Sequence, residues 1–402
     1  MRTITLGEAL RLTMRNSPDI FRVDQELANQ LAHATDVQLP PNPSVEADYF
    51  PQEEELRALG APNEYDFTFK QQFRLSHLGM RQAYASALKR ASRIEHRAEV
   101  IRVLNETVLL YYRYWMLNQR RRILDSAQRQ AAEIVARIAT AIERDETPST
   151  QGNLFKAEVE RFKAEIAANR AEEKEIQLQL LRAMGLAYQE LRLAPPSLRP
   201  IPENTFTLLS FAQSRANLRE LVLARQRAAD RRQDVANLDI FPALTGRFLY
   251  AVTTDFEEPE YGGGLEVSIP IWDWNQAERQ RAEAEKKVAD AEADSLDRLS
   301  FDRIIEVRQG KAIAMQARAE AYWNQVVPAY EKAYDLTKHM FEQGQANMIQ
   351  LWEVQQSLSR ISNEALTATA DALAARTLLE QALGGKIEEI PSVSGTNPNS
   401  TK

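Results

Sequence analysis

Between Gly79 and Glu143 the chain contains no proline and no further glycine. At 1.5 Å per residue that run predicts about 95 Å of continuous helix. A helix of that length cannot fold back into an ordinary globular core, so the rest of the chain has to be organised around it. A turn follows at Asp145-Glu146-Thr147-Pro148-Ser149-Thr150, and a return helix is expected from about Leu154 to Met184, ended by Gly185. In the middle of the long helix sit Tyr111, Tyr112, Tyr114 and Trp115. Their simplest reading is a packing core where helices meet.

The segments before this hairpin have a different period. Residues 5 to 37 carry Leu6, Leu10, Ile20, Val23, Leu27 and Leu31 at helical spacing, with Pro18 marking a boundary inside the stretch. After Pro40, Pro41 and Pro43 the period becomes two. Val45, Ala47 and Tyr49 alternate with Ser44, Glu46 and Asp48. Past an acidic, proline-bounded loop, Tyr65, Phe67, Phe69, Phe73 and Leu75 alternate with Asp66, Thr68, Lys70, Gln72 and Arg74. This predicts a hairpin with one aromatic, apolar face and one charged face.

The programme then restarts after Pro195, Pro196 and Pro200. Thr207-Leu208 through Asn217 parallels Thr5-Leu6 through Asn16. Leu244, Phe248, Tyr250 and Val252 alternate, and so do Leu265, Val267, Ile269 and Ile271. A second long helix is expected over Asn275 to Glu342, kinked or broken at Pro328. Gly344-Gln345-Ala346-Asn347 is its turn, and Ile349 to Leu383 its return. The expected fold class is mainly α with a small β part, a tandem helix-strand-strand-helix repeat. The first repeat covers residues 1–200, with strands at about 43–51 and 64–75 and a helical hairpin at about 79–185. The second covers 201–386, with strands at about 242–253 and 262–272 and a hairpin at about 275–384. Residues 387–402, rich in Ser, Asn and Thr, read as a disordered tail.

Each repeat supplies two strands, so one chain supplies four. If their apolar faces meet lipid, every backbone group in that layer must be paired and the sheet must close. Four strands are too few, since small barrels need about eight. The strands would then be pooled between copies, and homo-oligomerisation follows with membrane insertion as its premise. The competing expectation is a soluble, elongated coiled-coil scaffold or adaptor whose strands form a small capping sheet.

Composition narrows the function classes. A net charge of −7 over 402 residues argues against a general nucleic-acid binder. Cysteine is absent, which excludes disulfides, thiolate metal sites, a cysteine nucleophile and a lipidated cysteine in this sequence. No run of about 18 apolar residues is present, so no transmembrane helix is expected. The opening MRTITLGEALRLTMRNSP has no apolar signal core, so the sequence as it stands carries no signal peptide. His33, His77, His96 and His339 are scattered without the spacing of a metal site. No catalytic triad, phosphate loop or paired acid and base stands out. The chain reads as a non-enzyme without cofactor or metal.

The pieces ITLGEALRLTMRNSP, LPPNPSVEADY, QQFRLSHLGMRQAYASA, GGLEVSIPIWDWNQAERQRAEAE, VVPAYEKAYDLTKHMFEQGQANMIQLWEVQQSL and LLEQALGG, in that order, resemble the outer membrane efflux protein family, the TolC-like channels of Gram-negative bacteria. The resemblance covers about residues 3 to 386. It implies a homotrimer that shares a twelve-stranded β-barrel in outer-membrane lipid and a long α-helical barrel in the periplasm. It also implies a duct that works with a periplasmic adaptor and an inner-membrane transporter. Adaptor contact falls on the helix tips, here Thr147, Pro148 and Ser149 in the first and Gly344, Gln345, Ala346 and Asn347 in the second. The first tip lacks the glycine that many relatives carry. The lumen constriction maps to Phe341, Ala346, Gln350 and Glu353, of which only Glu353 is charged, where relatives often hold the gate with arginine–carboxylate links. Trp272 and Trp274 follow a strand and suit a membrane-interface belt. The strand-exit segments lean toward the heavy-metal-cation branch of the family.

Overall fold

The computed structural model describes residues 3–50, 64–143, 149–195, 200–213, 215, 217–253 and 259–387. The first tip's Thr147 and Pro148, both acidic loops between strands, and the tail after Ile387 lie outside them. In order, the elements are β1 (Thr3–Ile4), α1 (Leu6–Asn16), α2 (Pro18–Gln38), β2 (Ser44–Phe50), β3 (Glu64–Phe73), α3 (Met80–Glu143), α4 (Ser149–Ala183), β4 (Arg192–Leu193), α5 (Thr205–Gln213), α6 (Leu218–Leu238), β5 (Leu244–Thr253), β6 (Glu260–Val267), α7 (Gln276–Leu299), α8 (Phe301–Ala321), α9 (Val327–Glu342) and α10 (Met348–Leu383). The chain is mainly helical with a smaller strand part. It divides into two compact units. One holds residues 1–24, 97–218 and 299–402, the other 25–96 and 219–298.

In the first unit the expected tyrosine core is present. Tyr111, Tyr112 and Tyr114 are buried among Ile4, Ala9, Leu117, Leu180 and Met184. The Tyr111 hydroxyl lies 2.8 Å from the Ala194 carbonyl oxygen and 3.0 Å from that of Ile4. It sits beside a two-residue parallel pair, Thr3 opposite Arg192 and Ile4 opposite Leu193. Burial, slightly offset by the bond to Ala194, pushes its pKa up to about 12. Gly185 ends α4 at φ +64°, and a Cβ there would stand 2.1 Å from the Asn16 carbonyl oxygen. Only glycine allows both the left-handed turn and that approach. The return helix starts at Ser149, five residues earlier than its periodicity suggests.

Two interruptions shape the second long helical run. The kink expected at Pro328 takes the form of a π-helical stretch, Tyr322–Val326, in which the Val327 N–H donates to the Tyr322 carbonyl. The wider turn lets the backbone absorb the missing proline N–H without a clash. The other interruption, at Ser300 with φ 58°, has no glycine or proline to announce it.

The second unit packs its helices through alanine. Ala34, Ala85, Ala91, Ala224, Ala228, Ala282 and Ala289 are all buried. Small side chains let neighbouring backbones approach closely. Charged residues then bridge at the edges: Arg232 bonds Glu278 at 2.8 Å and also Glu285, and Lys286 bonds Asp230 at 2.7 Å.

Two outcomes are expected for the first unit. Gly185→Ala destabilises the protein by about 2 kcal/mol or more, because a left-handed alanine and a backbone clash add; a fall in melting temperature checks this. Tyr111 is held neutral, so its contribution is present below its ordinary pKa of 10.0 and is lost as pH rises through that value toward about 12. Denaturant midpoints on either side of that window fall more steeply for the wild type than for Tyr111→Phe.

Candidate functional site

The sheet belongs wholly to the second unit and is antiparallel in the order β2-β3-β5-β6. Its register puts Val45 opposite Phe69, Ala47 opposite Phe67 and Tyr49 opposite Tyr65. On the next pair Phe67 faces Tyr250 and Phe69 faces Phe248. Tyr250 then faces Tyr261, and Leu244 faces Val267. All these residues share one face, because strand side chains alternate. Ring centroids stand 5.0 Å apart for Tyr49 and Tyr65 and 5.5 Å for Tyr250 and Tyr261. The face is uncovered: Val45 is 70% exposed, Phe67 43% and Leu265 75%. A contiguous apolar patch of this kind on a folded chain marks a surface meant for lipid or a partner. Among the described residues the first and last strands, β2 and β6, each have one unpaired edge.

The opposite face carries Glu46, Asp48, Asp66, Lys70, Arg247 and Glu266. Lys70 donates to Glu46 across β2 and β3. The final strand stops at Val267, short of the expected Ile271. Its last ladder bond runs from the Ser268 N–H to the Ala243 carbonyl, and Pro242 and Pro270 have no N–H to extend it. Ile269, Ile271, Trp272 and Trp274 are therefore outside the strand, and all are exposed, Trp272 at 88%. The Trp274 N–H donates to Gln276 Oε1 at 2.7 Å and starts α7.

A partly buried polar triangle joins the exit of β3 to the exit of α6. Ser76 Oγ donates to Asp239 Oδ1 at 2.5 Å, Arg81 Nη2 donates to Asp239 Oδ2 at 2.5 Å, and Arg81 Nε donates to Ser76 Oγ at 2.8 Å. Beside it His77 Nδ1 accepts from the Arg74 N–H at 3.3 Å. Burial, then the Arg81 charge, hold His77 below the usual histidine range. Sequence reading misses this cluster. Asp239 lies more than 150 positions from Ser76 and Arg81, and no local pattern couples them.

In the first unit, α9 closes on the second tip. The Gly344 N–H donates to the Phe341 carbonyl at 3.0 Å and the Gln345 N–H to the Met340 carbonyl at 2.8 Å, with Gly344 at φ +73°. That is a Schellman turn. Asn347 then caps α10: its side chain accepts from the Gln350 N–H, and Gln350 Oε1 accepts from the Asn347 N–H, both at 2.9 Å. Gln350 thus has a capping role, at the N-cap-to-N3 spacing of a capping box. Phe341 and Ala346 are half-buried, while Gly344, Gln345, Asn347 and Gln350 are exposed. Ser149 is the first residue of α4. Glu353 is exposed, one residue after Trp352, which is buried edge-on against Phe162 at 6.1 Å. Glu353 lines an open cleft of about 690 Å³ together with Arg120, Arg161, Glu165, Arg360 and Glu364. Arg161 itself bonds Glu158 and Glu165 at 2.7 and 2.8 Å and covers the Phe162 ring.

Among the described residues no group of three or more His, Asp or Glu could hold a metal ion, and no helix is long and apolar enough to cross a membrane. No family model matches the chain, and no curated protein matches it. Solved structures do. The Campylobacter jejuni CmeC outer membrane channel matches at 15% identity and TM-score 0.75, over 94% of this chain and 85% of that one. The Vibrio cholerae outer membrane protein VceC matches at 16% and 0.72, over 95% and 96%. CusC, described through its transmembrane channel formation, matches at 15% and 0.70, over 94% and 92%. At such identities the likeness establishes the fold alone, mainly helical with a smaller strand part as in these channels.

Asp239→Asn is expected to cost about 2–4 kcal/mol, since it leaves the Arg81 charge without its carboxylate in a largely buried site. A drop in melting temperature checks it, with Glu353→Gln, on the open cleft wall, as the silent control.

Proposed function

We propose that this chain, which has the fold of outer membrane channels, is the passive exit duct of a tripartite efflux pump. The observation that carries the reading is the four-stranded sheet with one exposed aromatic face and two open edges. In water that face and those edges invite aggregation. In lipid they are satisfied together if three copies pool their strands into a twelve-stranded barrel, with the aromatic face outward and the charged face lining the lumen. The alternative of a soluble scaffold leaves the same aromatic face without an occupant.

The remaining assignments follow from that arrangement. The chain comprises two structural repeats, residues 1–200 and 201–386, with 387–402 as a tail. Trp272 and Trp274 sit at the membrane–water interface. The long helices form a periplasmic barrel, whose tips, Thr147 to Ser149 and Gly344 to Asn347, meet an adaptor that couples the duct to an inner-membrane transporter. Phe341, Ala346, Gln350 and Glu353 narrow the lumen. Lacking paired charges at three of those four positions, the constriction is less tightly locked than in relatives. Heavy-metal cations are the cargo class that suits the strand-exit resemblance and the acidic inner face.

The absence of native cysteine makes a direct test simple. Cysteines placed together at Ala47 in β2 and Gly263 in β6, with Val45 and Tyr49 as alternative partners for Gly263, are expected to give covalent dimers and trimers on oxidation in outer membranes, with the ladder stopping at three. Cross-links confined to one chain, or a ladder running past three, contradict the barrel.

A further inference from the structure

Within the first unit, α3, α4 and α10 enclose the open cleft of about 690 Å³ whose wall includes Glu353. Small-molecule sites span roughly 300–1,000 Å³. Met116, Leu124, Phe162 and Leu366 supply the apolar part of the wall. Its arginines are not all spent. Arg161 is committed to Glu158 and Glu165. Other arginines of α3 are committed too, Arg113 to Glu172 at 2.7 Å and Arg121 to Glu173 at 3.2 Å. Arg120 and Arg360 line the same cleft from α3 and α10, and among the described residues neither has an ion pair or a hydrogen bond. Asn363, one turn past Arg360 on the same wall, keeps its Oδ1 buried without a donor among the described residues. A polar atom left so marks a missing partner. Turned over, the same amide offers its N–H donors instead.

We propose that this cleft binds an aromatic monoanion, its carboxylate taken by Arg120 and Arg360 and its ring laid on the apolar wall. A guanidinium fork matches a carboxylate in plane and spacing, and it also stacks on aromatic rings. The wall's remaining carboxylates limit the charge it accepts. Glu364 is held by the Tyr322 hydroxyl at 3.2 Å, and Glu353 stands seven residues before Arg360, about 10 Å along α10. Both repel a second negative charge, which favours a monoanion over a dianion. The site is built from the first unit alone. Its place in a lumen rests on the duct reading, through the constriction assigned to Glu353; there the bound ring sits in the path of cargo.

The test is equilibrium dialysis of 2-naphthoate against the purified full-length protein in a non-ionic detergent at about 0.1 M salt, with protein-free micelles as the blank. Saturable binding of one 2-naphthoate per chain is expected. Arg120→Gln and Arg360→Gln are each expected to weaken it by about threefold, and both together by about tenfold, the scale of exposed ion pairs. Glu353→Gln is expected to tighten it, since it removes a repelling charge about one Debye length away. The neutral amide of the same ring, 2-naphthamide, is expected to bind about tenfold more weakly. Should a variant fail to fold, the comparison of naphthoate with naphthamide on the wild type still decides. Uptake no greater than the blank, equal for acid and amide, or unchanged in the double variant overturns the site. Conductance is recorded separately on the same preparation. A protein that binds but does not conduct keeps the cleft and loses the duct, and one that conducts but does not bind does the reverse.

Discussion

Backbone pairing is the constraint on which the proposed arrangement depends. The sheet has four strands, two faces of opposite character and two open edges. A folded chain tolerates exposed aromatic residues singly, but not a whole face of them beside unpaired N–H and C=O groups. The strand lengths of seven to ten residues are close to what crosses a bilayer when tilted. The edges then need strands from other copies. In the proposed arrangement one fact about hydrogen bonding accounts for oligomerisation, membrane insertion and the direction in which the charged face points.

Other features serve to connect strands to helices without loss of order. The triangle of Ser76, Arg81 and Asp239 fixes the exit of β3 against the exit of α6, with both Asp239 carboxylate oxygens bonded. Alanine at the helix contacts of the same unit keeps backbones close, and arginine–glutamate bridges sit outside those contacts. In the other unit the long α3 is anchored in its middle by the tyrosine core, whose Tyr111 hydroxyl ties it to the carbonyls of Ile4 and Ala194. The triangle and the Tyr111 hydroxyl each use few residues and a well-sheltered polar bond to hold two distant segments together.

Much of this was legible in the sequence because two periods, 3.6 and 2, are cleanly separated along the chain. The sides of all four strands and the buried tyrosines follow from that separation. What was not legible has a common cause: it depends on partners far apart in sequence. The pairing of β3 with β5, the two-residue pair of β1 and β4, and the Asp239 triangle leave no local mark. Strand β6 ends early because prolines withhold donors on both strands, which only the register reveals. At the second tip the glycine reversal was legible. Gln350 was read for the lumen although Asn347-x-x-Gln350 has the spacing of a capping box, a local signal that sequence alone offered.

The most direct measurement is the subunit count of the protein in detergent by native mass spectrometry, followed by single-channel recording of the same preparation. A trimer that opens discrete conducting steps in planar bilayers is the predicted result. A monomer or dimer that inserts without conductance would contradict the pooled barrel and leave the aromatic face of the sheet without the role assigned to it.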